Sequence, residues 1–223
     1  MNILIFGSNG LVGKSLNKIL NQVDEYNIIS STRKDTNLFN FKETNEKISE
    51  VKPDVIINCA AKVGGIYAND TKRTQFLVEN LKINLNILES SIPFDDIKII
   101  NLGSSCIYPL NAENPIKEDS FMDGKLEPTN SPYAMAKLTS IELGRSISSE
   151  YGHKIVNLMP TNLYGPNDNF DEEYSHVIPG LIARMHKAKK TNAKEFKIWG
   201  SGMPLREFLY VDDLSNCINF IIQ

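Results

Sequence analysis

The sequence predicts an α/β fold, a doubly wound parallel sheet with the start of a small second domain near its C-terminal end. Three observations carry this reading. Short β-rich runs recur at 2–6, 27–31, 54–58, 97–102 and 154–159. Segments of helical periodicity lie between most of them, as expected of parallel strands joined by crossover helices. A glycine-rich turn directly follows the first strand and opens a helix.

The first run, Asn2-Ile3-Leu4-Ile5-Phe6, leads into Gly7-Ser8-Asn9-Gly10-Leu11-Val12-Gly13. Glycines at this spacing let the backbone turn tightly and approach a pyrophosphate, which the helix N-terminus then meets with its N–H groups and dipole. The spacing is G-x-x-G-x-x-G rather than G-x-G-x-x-G, so its position after an apolar strand matters to the reading. A ribose 2′-hydroxyl calls for an acidic residue at the end of the second strand, but Ser31, Thr32 and Arg33 stand there. That favours a 2′-phosphate, hence NADPH, with Asp35 as the alternative ribose ligand.

Between 70 and 91, Leu77, Leu81, Leu85 and Leu88 fall on one helical stripe, expected to pack on the sheet. Past the fourth strand, Gly103-Ser104-Ser105-Cys106-Ile107-Tyr108-Pro109 sits where open α/β sheets bind ligands. From about 106 to 131 the helical pattern lapses around Pro109, Pro115, Gly124 and Pro128, which predicts a long loop walling a site. Ser131-Pro132 then starts a helix carrying Tyr133 and Lys137 on one face. A lysine ammonium one turn away can stabilise a tyrosine phenolate and so make the phenol a useful acid. After the fifth strand, Pro160-Thr161-Asn162-Leu163-Tyr164-Gly165-Pro166 is irregular, placing a first domain at 1–165 and a second at 166–223, with a last helix over 212–222.

The chain has 223 residues, with 24 Lys+Arg against 27 Asp+Glu and a net charge of −3. This excludes broad attraction for nucleic acid or an anionic membrane. The dense cationic stretch from Arg184 to Lys194 reads as a solvated helix end. Cys59, Cys106 and Cys217 match no disulfide framework or metal-ligand spacing, so no metal is expected and a reducing cytoplasm suits them. No apolar run approaches the ~20 residues that span a bilayer, and the N-terminus lacks a basic leader. The expectation is a soluble, unprocessed, cytoplasmic protein.

The glycine turn, the strand-end serine and the Tyr/Lys pair, in that order, resemble the extended short-chain dehydrogenase/reductase superfamily of Rossmann-fold enzymes. Within it, several stretches resemble the GDP-L-fucose synthase family. They are Ala60 to Ile66, Gly103 to Pro109, Met159 to Pro166, Ser175 to Pro179, and Trp199-Gly200-Ser201-Gly202 running to Arg206-Glu207-Phe208-Leu209. The resemblance implies an NADPH-dependent 3,5-epimerase and 4-reductase acting on a GDP-4-keto-6-deoxy-sugar, or on a related GDP-deoxyheptose. By it, Tyr133 protonates the C4 oxygen, Lys137 holds the nicotinamide ribose, Ser104 orients the ketone, and Cys106 and His176 exchange protons beside the carbonyl. A thiol lowered by a nearby cation, or a histidine near its ordinary pKa, suits that exchange. The cofactor is then held by residues 7–13, Arg33, Ala60, Asn80, Lys137, Pro160, Asn162, Leu163 and His176, and the GDP-sugar by Arg184, Trp199 and Arg206. A homodimer through the helices bearing Leu77 to Leu88 and Tyr133 to Lys137 is also implied. The family runs on beyond Arg-Glu-Phe-Leu-Tyr-Val-Asp-Asp, so the sugar domain is expected to be incomplete at Gln223. Two alternatives stand beside this reading: a nucleotide-sugar 4-epimerase or 4,6-dehydratase, against which Cys106 argues, and a noncatalytic NADP-binding remnant.

Overall fold

Five short strands form one sheet: β1 (Asn2–Phe6), β2 (Asn27–Ser31), β3 (Val55–Asn58), β4 (Lys98–Leu102) and β5 (Lys154–Leu158). The computed structural model describes residues 1–171, 174–196, 198 and 200–223. All pairings are parallel and the order is β2-β1-β3-β4-β5. Each strand lies where the sequence predicts it, with the third, fourth and fifth trimmed by a residue at one end. The chain leaves β1 toward β2 on one side and resumes at β3 on the other, which opens a crevice beyond the carboxyl ends of β1 and β3.

Both faces are covered, which is why the central strands read as continuous apolar runs rather than alternating ones. On one face, Ile3, Ile5, Val55, Ile57 and Ile100 pack with Leu16 and Leu20 of α1 (Leu11–Leu20) and with Leu214 and Ile218 of α7 (Val211–Ile222). On the other, Leu4, Phe6, Ile56 and Ile99 pack with α2 (Phe41–Val51), α4 (Arg73–Ser91) and α5 (Ser131–Tyr151). The helix of 66–71, α3 (Ile66–Thr71), breaks from α4 at Lys72. Pro132 occupies the first turn of α5, and Gly152 ends it in the left-handed conformation with φ +78°.

The leucine stripe of α4 is a correction to the sequence reading. The face toward the sheet is Phe76, Asn80, Ile83, Asn84 and Ile87, whereas Leu85 is 40% exposed and Leu77 and Leu81 are half-buried. Of the four leucines only Leu88 is core. Two asparagines occupy buried positions of this helix, so hydrophobicity alone misassigns its inner face.

The irregular stretch after β4 holds two single 3-10 turns, Ser105–Ile107 and Glu118–Ser120. After β5 the chain makes a second, two-stranded parallel sheet from β6 (Asn162–Tyr164) and β7 (Phe208–Tyr210), with α6 (Val177–Lys190) between them. The last turn of α6 carries Lys187, Lys189 and Lys190, cations at the negative end of the helix dipole. α7 returns to the first sheet. Ser15 donates to Asp212 at 2.6 Å, Lys18 pairs with Asp212 at 2.7 Å, and Lys98 donates to the Ile221 carbonyl at 2.7 Å, closing the helix's C-terminal end. No helix among the described residues is long and apolar enough to cross a membrane.

Candidate active site

Gly7 leaves β1 with φ +75°, and its backbone N–H and that of Ser8 donate to the Ser31 carbonyl at 3.0 and 3.2 Å. A Cβ at Gly7 would lie 2.6 Å from the Ala60 nitrogen, and one at Gly13 would lie 2.6 Å from Ser8 Cα, so both sites admit glycine alone. A Cβ at Gly10 would meet only the Gly7 carbonyl oxygen, at 3.4 Å. Packing within the protein therefore does not demand glycine at position 10, and the space it leaves lies at the start of α1. The Ser8 hydroxyl is buried there with no protein partner. A cradle with an orphaned hydroxyl and free helix N–H groups is a fit for a dinucleotide pyrophosphate. Asn9, Leu11 and Val12 complete the turn, Val12 being core.

At the end of β2 the two candidate ribose ligands separate. Asp35 Oδ2 accepts from Thr32 N at 2.8 Å and from Thr32 Oγ1 at 2.6 Å, so that carboxylate closes its own turn. The exposed Arg33 guanidinium instead lies over the Phe39 ring, 4.9 Å from its centroid.

Asn80 is buried and latches the loop after β3. It accepts from Lys62 N at 2.9 Å and donates to the carbonyls of Lys62 at 3.0 Å and Phe76 at 2.7 Å. Beneath it lies an amide ladder the sequence reading misses. Asn58, Asn101 and Asn157 stand in register across β3, β4 and β5. Asn58 donates to Asn84 at 2.9 Å and to Asn101 at 3.1 Å; Asn101 donates to Ser140 at 2.7 Å and to Asn157 at 3.1 Å. Asn58 Oδ1 also takes the Ala60 N–H at 3.1 Å. The ladder thus ties Ala60 and α4 to α5, one turn below Lys137. Its signal is visible in the sequence as Ile-Ile-Asn, Ile-Ile-Asn and Ile-Val-Asn, at the end of β3 and one residue before the ends of β4 and β5. Removing its centre leaves several buried polar groups short of a partner. Asn101→Ala is expected to lower the unfolding free energy by about 2–3 kcal/mol in urea denaturation, and an unchanged midpoint would contradict that role.

α5 sets Tyr133 and Lys137 one turn apart. Lys137 is 2% exposed, donates to the Leu102 carbonyl at 2.6 Å, and holds Nζ 5.6 Å from the Tyr133 ring centroid. Burial lowers its pKa to about 8 against the opposing pull of Cys106 and Cys59. Cys59 is a buried thiol pushed up to about 12 by desolvation. Tyr133 is edge-on to Phe76 at 6.3 Å. The phenol is pushed above its ordinary value, first by burial and then by Cys106. With desolvation and the neighbouring thiol both acting in that direction, the phenol stays protonated at neutral pH.

Ser104, at the end of β4, caps the turn that presents Cys106, its hydroxyl accepting from Cys106 N at 3.3 Å. The Cys106 thiol is likewise raised by burial, partly offset by Ser104 and Lys137. The expected cation is there, but its effect is smaller than the loss of solvent. Ser105 N donates to the Pro160 carbonyl at 3.3 Å, bringing the stretch after β5 against this turn. Leu163 of β6 packs toward the core, and Asn162 donates to the Glu207 carbonyl at 2.9 Å across to β7.

His176 stands at the N-cap position of α6, without a side-chain cap bond. The residues just before it meet Gly65, whose N–H donates to the Tyr174 carbonyl at 2.9 Å and whose missing Cβ would strike the Ser175 carbonyl. A Cβ on Gly64 would lie 3.3 Å from Phe76, the ring that meets Tyr133. Tyr174 is clasped by Tyr67 at 5.7 Å and by Lys72 at 4.2 Å. Desolvation lowers the His176 pKa while Asp168 pulls it back, so the imidazole is neutral at neutral pH. Asp168 was not singled out by the sequence; its Oδ2 is buried without a protein partner. Of the expected sugar ligands, Arg184 is half-buried on α6, Arg206 is exposed and donates to the Leu205 carbonyl, and Trp199 lies outside the described residues. No cluster of metal-ligating groups occurs among the described residues.

A glycine cradle at a sheet's switch point, with a buried lysine one turn from a tyrosine at the strand ends, defines a dinucleotide-binding protein of the short-chain dehydrogenase type. The chain belongs to the NAD dependent epimerase/dehydratase family, which it matches over residues 3–223. It is 42% identical over 213 residues to the GDP-L-fucose synthase of Escherichia coli, covering 96% of this chain and 66% of that one. It resembles the structure of a GDP-L-fucose synthetase from Naegleria fowleri bound to NADP, with TM-score 0.88, 32% identity, and coverage of 99% and 72% of the two chains. It also resembles a GDP-D-glycero-L-gluco-heptose synthase from Campylobacter jejuni, solved in the presence of NADPH, with TM-score 0.89, 27% identity, and coverage of 100% and 74%. The chain thus spans about two thirds of the length of the synthases it matches.

Proposed function

We propose that this chain carries the catalytic half of an NADPH-dependent 3,5-epimerase and 4-reductase for a GDP-4-keto-6-deoxy-sugar. The observation that carries the reading is the cluster of Tyr133, Lys137 and Cys106 around the ends of β3 and β4, beside the glycine cradle. The cradle and Arg33 would hold NADPH, which would supply the hydride. Ser104 orients the ketone and Tyr133, protonated at neutral pH, delivers a proton to its oxygen. Lys137 keeps a positive charge next to the phenol as that proton leaves. Protons on the carbons flanking the ketone are acidified by the carbonyl, and Cys106 and His176 are assigned to exchange them. Arg184, Arg206 and Trp199 are assigned to the GDP-sugar, a guanidinium fork being suited to its pyrophosphate.

Residues from about 166 to 210 form the sugar side in this reading, while the docking of α7 on α1 assigns 211–222 to the cofactor domain. A homodimer through α4 and α5 is supported by Val78 and Leu85 on α4 and Met135 on α5, each at least 40% exposed on adjoining helices. The three free thiols suit a reducing, cytoplasmic setting. The deciding experiment is turnover of GDP-4-keto-6-deoxy-mannose with NADPH, followed by NMR of the product. A product epimerised at C3 and C5 and reduced at C4 is expected. A C4-reduced product with unchanged C3 and C5 would favour a plain heptose-type reductase, and NADPH binding with no chemistry would leave a noncatalytic cofactor domain.

A further inference from the structure

The loop after β2 is built to hold one guanidinium in one place. Ser31 donates to Thr36 at 3.0 Å in a buried contact, Asp35 closes the turn on Thr32, and Phe39 N donates to Asn37 Oδ1 at 3.2 Å. Asn86 of α4 donates to the Leu38 carbonyl at 2.8 Å, and the Phe39 ring packs against the core beneath α2 and α4. The ring is therefore fixed by its surroundings, and the Arg33 guanidinium carbon lies over it, 4.9 Å from the centroid. The same turn is bonded to the glycine cradle through the Ser31 carbonyl.

Two carboxylates near Arg33 in sequence are occupied elsewhere. Asp35 accepts from Thr32, and Glu43 accepts from Asn37 N at 3.1 Å and Asn40 Nδ2 at 3.0 Å. Among the described residues Arg33 forms no salt bridge. A ring takes up none of a guanidinium's hydrogen-bonding capacity as a salt bridge would, so N–H groups remain to meet a phosphate bidentately. The aromatic ring and an anion can therefore be served together, without competition.

We infer that Phe39 is a specificity-determining positioning residue, which holds Arg33 at the end of β2 where it would meet the 2′-phosphate of the cofactor, and so sets the preference for NADPH over NADH. The inference rests on the NADP reading above and adds a residue that does not itself touch the phosphate. A cation–π contact at an exposed site is worth about two- to fivefold in affinity. That gain acts on the 2′-phosphorylated cofactor alone, because NADH has no 2′-phosphate for Arg33 to meet.

The test is a titration of the 223-residue protein with NADPH and with NADH, read by cofactor fluorescence, in three variants. Phe39→Leu keeps an apolar side chain in the core and is expected to weaken NADPH about two- to fivefold with NADH unchanged. Phe39→Trp is expected to retain or strengthen the NADPH preference. Arg33→Ala is expected to remove the preference, and adding Phe39→Leu to it should change the NADPH to NADH ratio no further. Parallel weakening of both cofactors in Phe39→Leu would make Phe39 a structural residue and overturn the inference, as would an unaltered ratio or an additive double variant. Equal affinity of the unmodified protein for the two cofactors would overturn the NADP reading and the inference together.

Discussion

Replacing Tyr133 with Phe is expected to lower ketone reduction by about 10²–10⁴-fold, the range for loss of a positioned general acid. Phe keeps the edge contact with Phe76 and the packing on α5, so the fold and NADPH affinity should be preserved. Deuterium uptake at C3 and C5 should persist, because proton exchange at carbon does not require the phenol. The pH dependence follows from Lys137. Its pKa of about 8 means that the ammonium is present below that pH and lost above it. Reduction by the free enzyme should therefore decline as pH rises through about 8. The measurement is single-turnover NADPH oxidation across pH, with NMR of the sugar recovered from heavy water. Reduction in Tyr133→Phe within tenfold of the unmodified protein would remove Tyr133 from the role of acid.

Cys106→Ser is expected to act in the opposite sense, cutting deuterium incorporation at C3 and C5 by at least about 10²-fold while leaving reduction of the unepimerised ketone. A hydroxyl in that pocket ionises far less readily than a thiol, even one that burial has raised, so the base form is almost absent. Because the thiol is protonated at neutral pH and the base form is the active one, exchange in the unmodified protein should rise with pH through the neutral range. His176→Gln should impair exchange as well, with one face persisting if Cys106 alone initiates it. Full exchange in Cys106→Ser would leave Cys106 as a buried thiol that Ser104 happens to cap.

The parts of this site legible in the sequence are those governed by short stretches of chain. Gly7 is required by its left-handed backbone conformation and Gly13 by close approach to Gly7 and Ser8 within the same turn. Tyr133 and Lys137 share a face because a helix repeats every 3.6 residues. Strand positions follow from apolar runs, so β1 and β2 fall on the predicted residues. Asp35 and the α4 leucines show where that reasoning stops. A carboxylate beside Arg33 is equally able, in sequence terms, to bind ribose or to close a turn, and the Thr32 contacts decide it. The α4 helix hides its inner face because Asn80 and Asn84 are buried for their hydrogen bonds rather than for hydrophobicity.

By itself the sequence determined the parallel α/β class, the phosphate cradle, and the identity and order of the residues offered for chemistry, since all of these rest on local periodicity and backbone constraint. Tertiary structure alone decided which of them meet and in what state. Ser215 reaches Ser15 across 200 positions to bring α7 home. The Asn58, Asn101 and Asn157 ladder forms only once three strands are in register. Tyr133 and Cys106 are raised and Lys137 lowered because solvent is excluded by segments far apart in the chain, a loss that no local stretch of sequence displays.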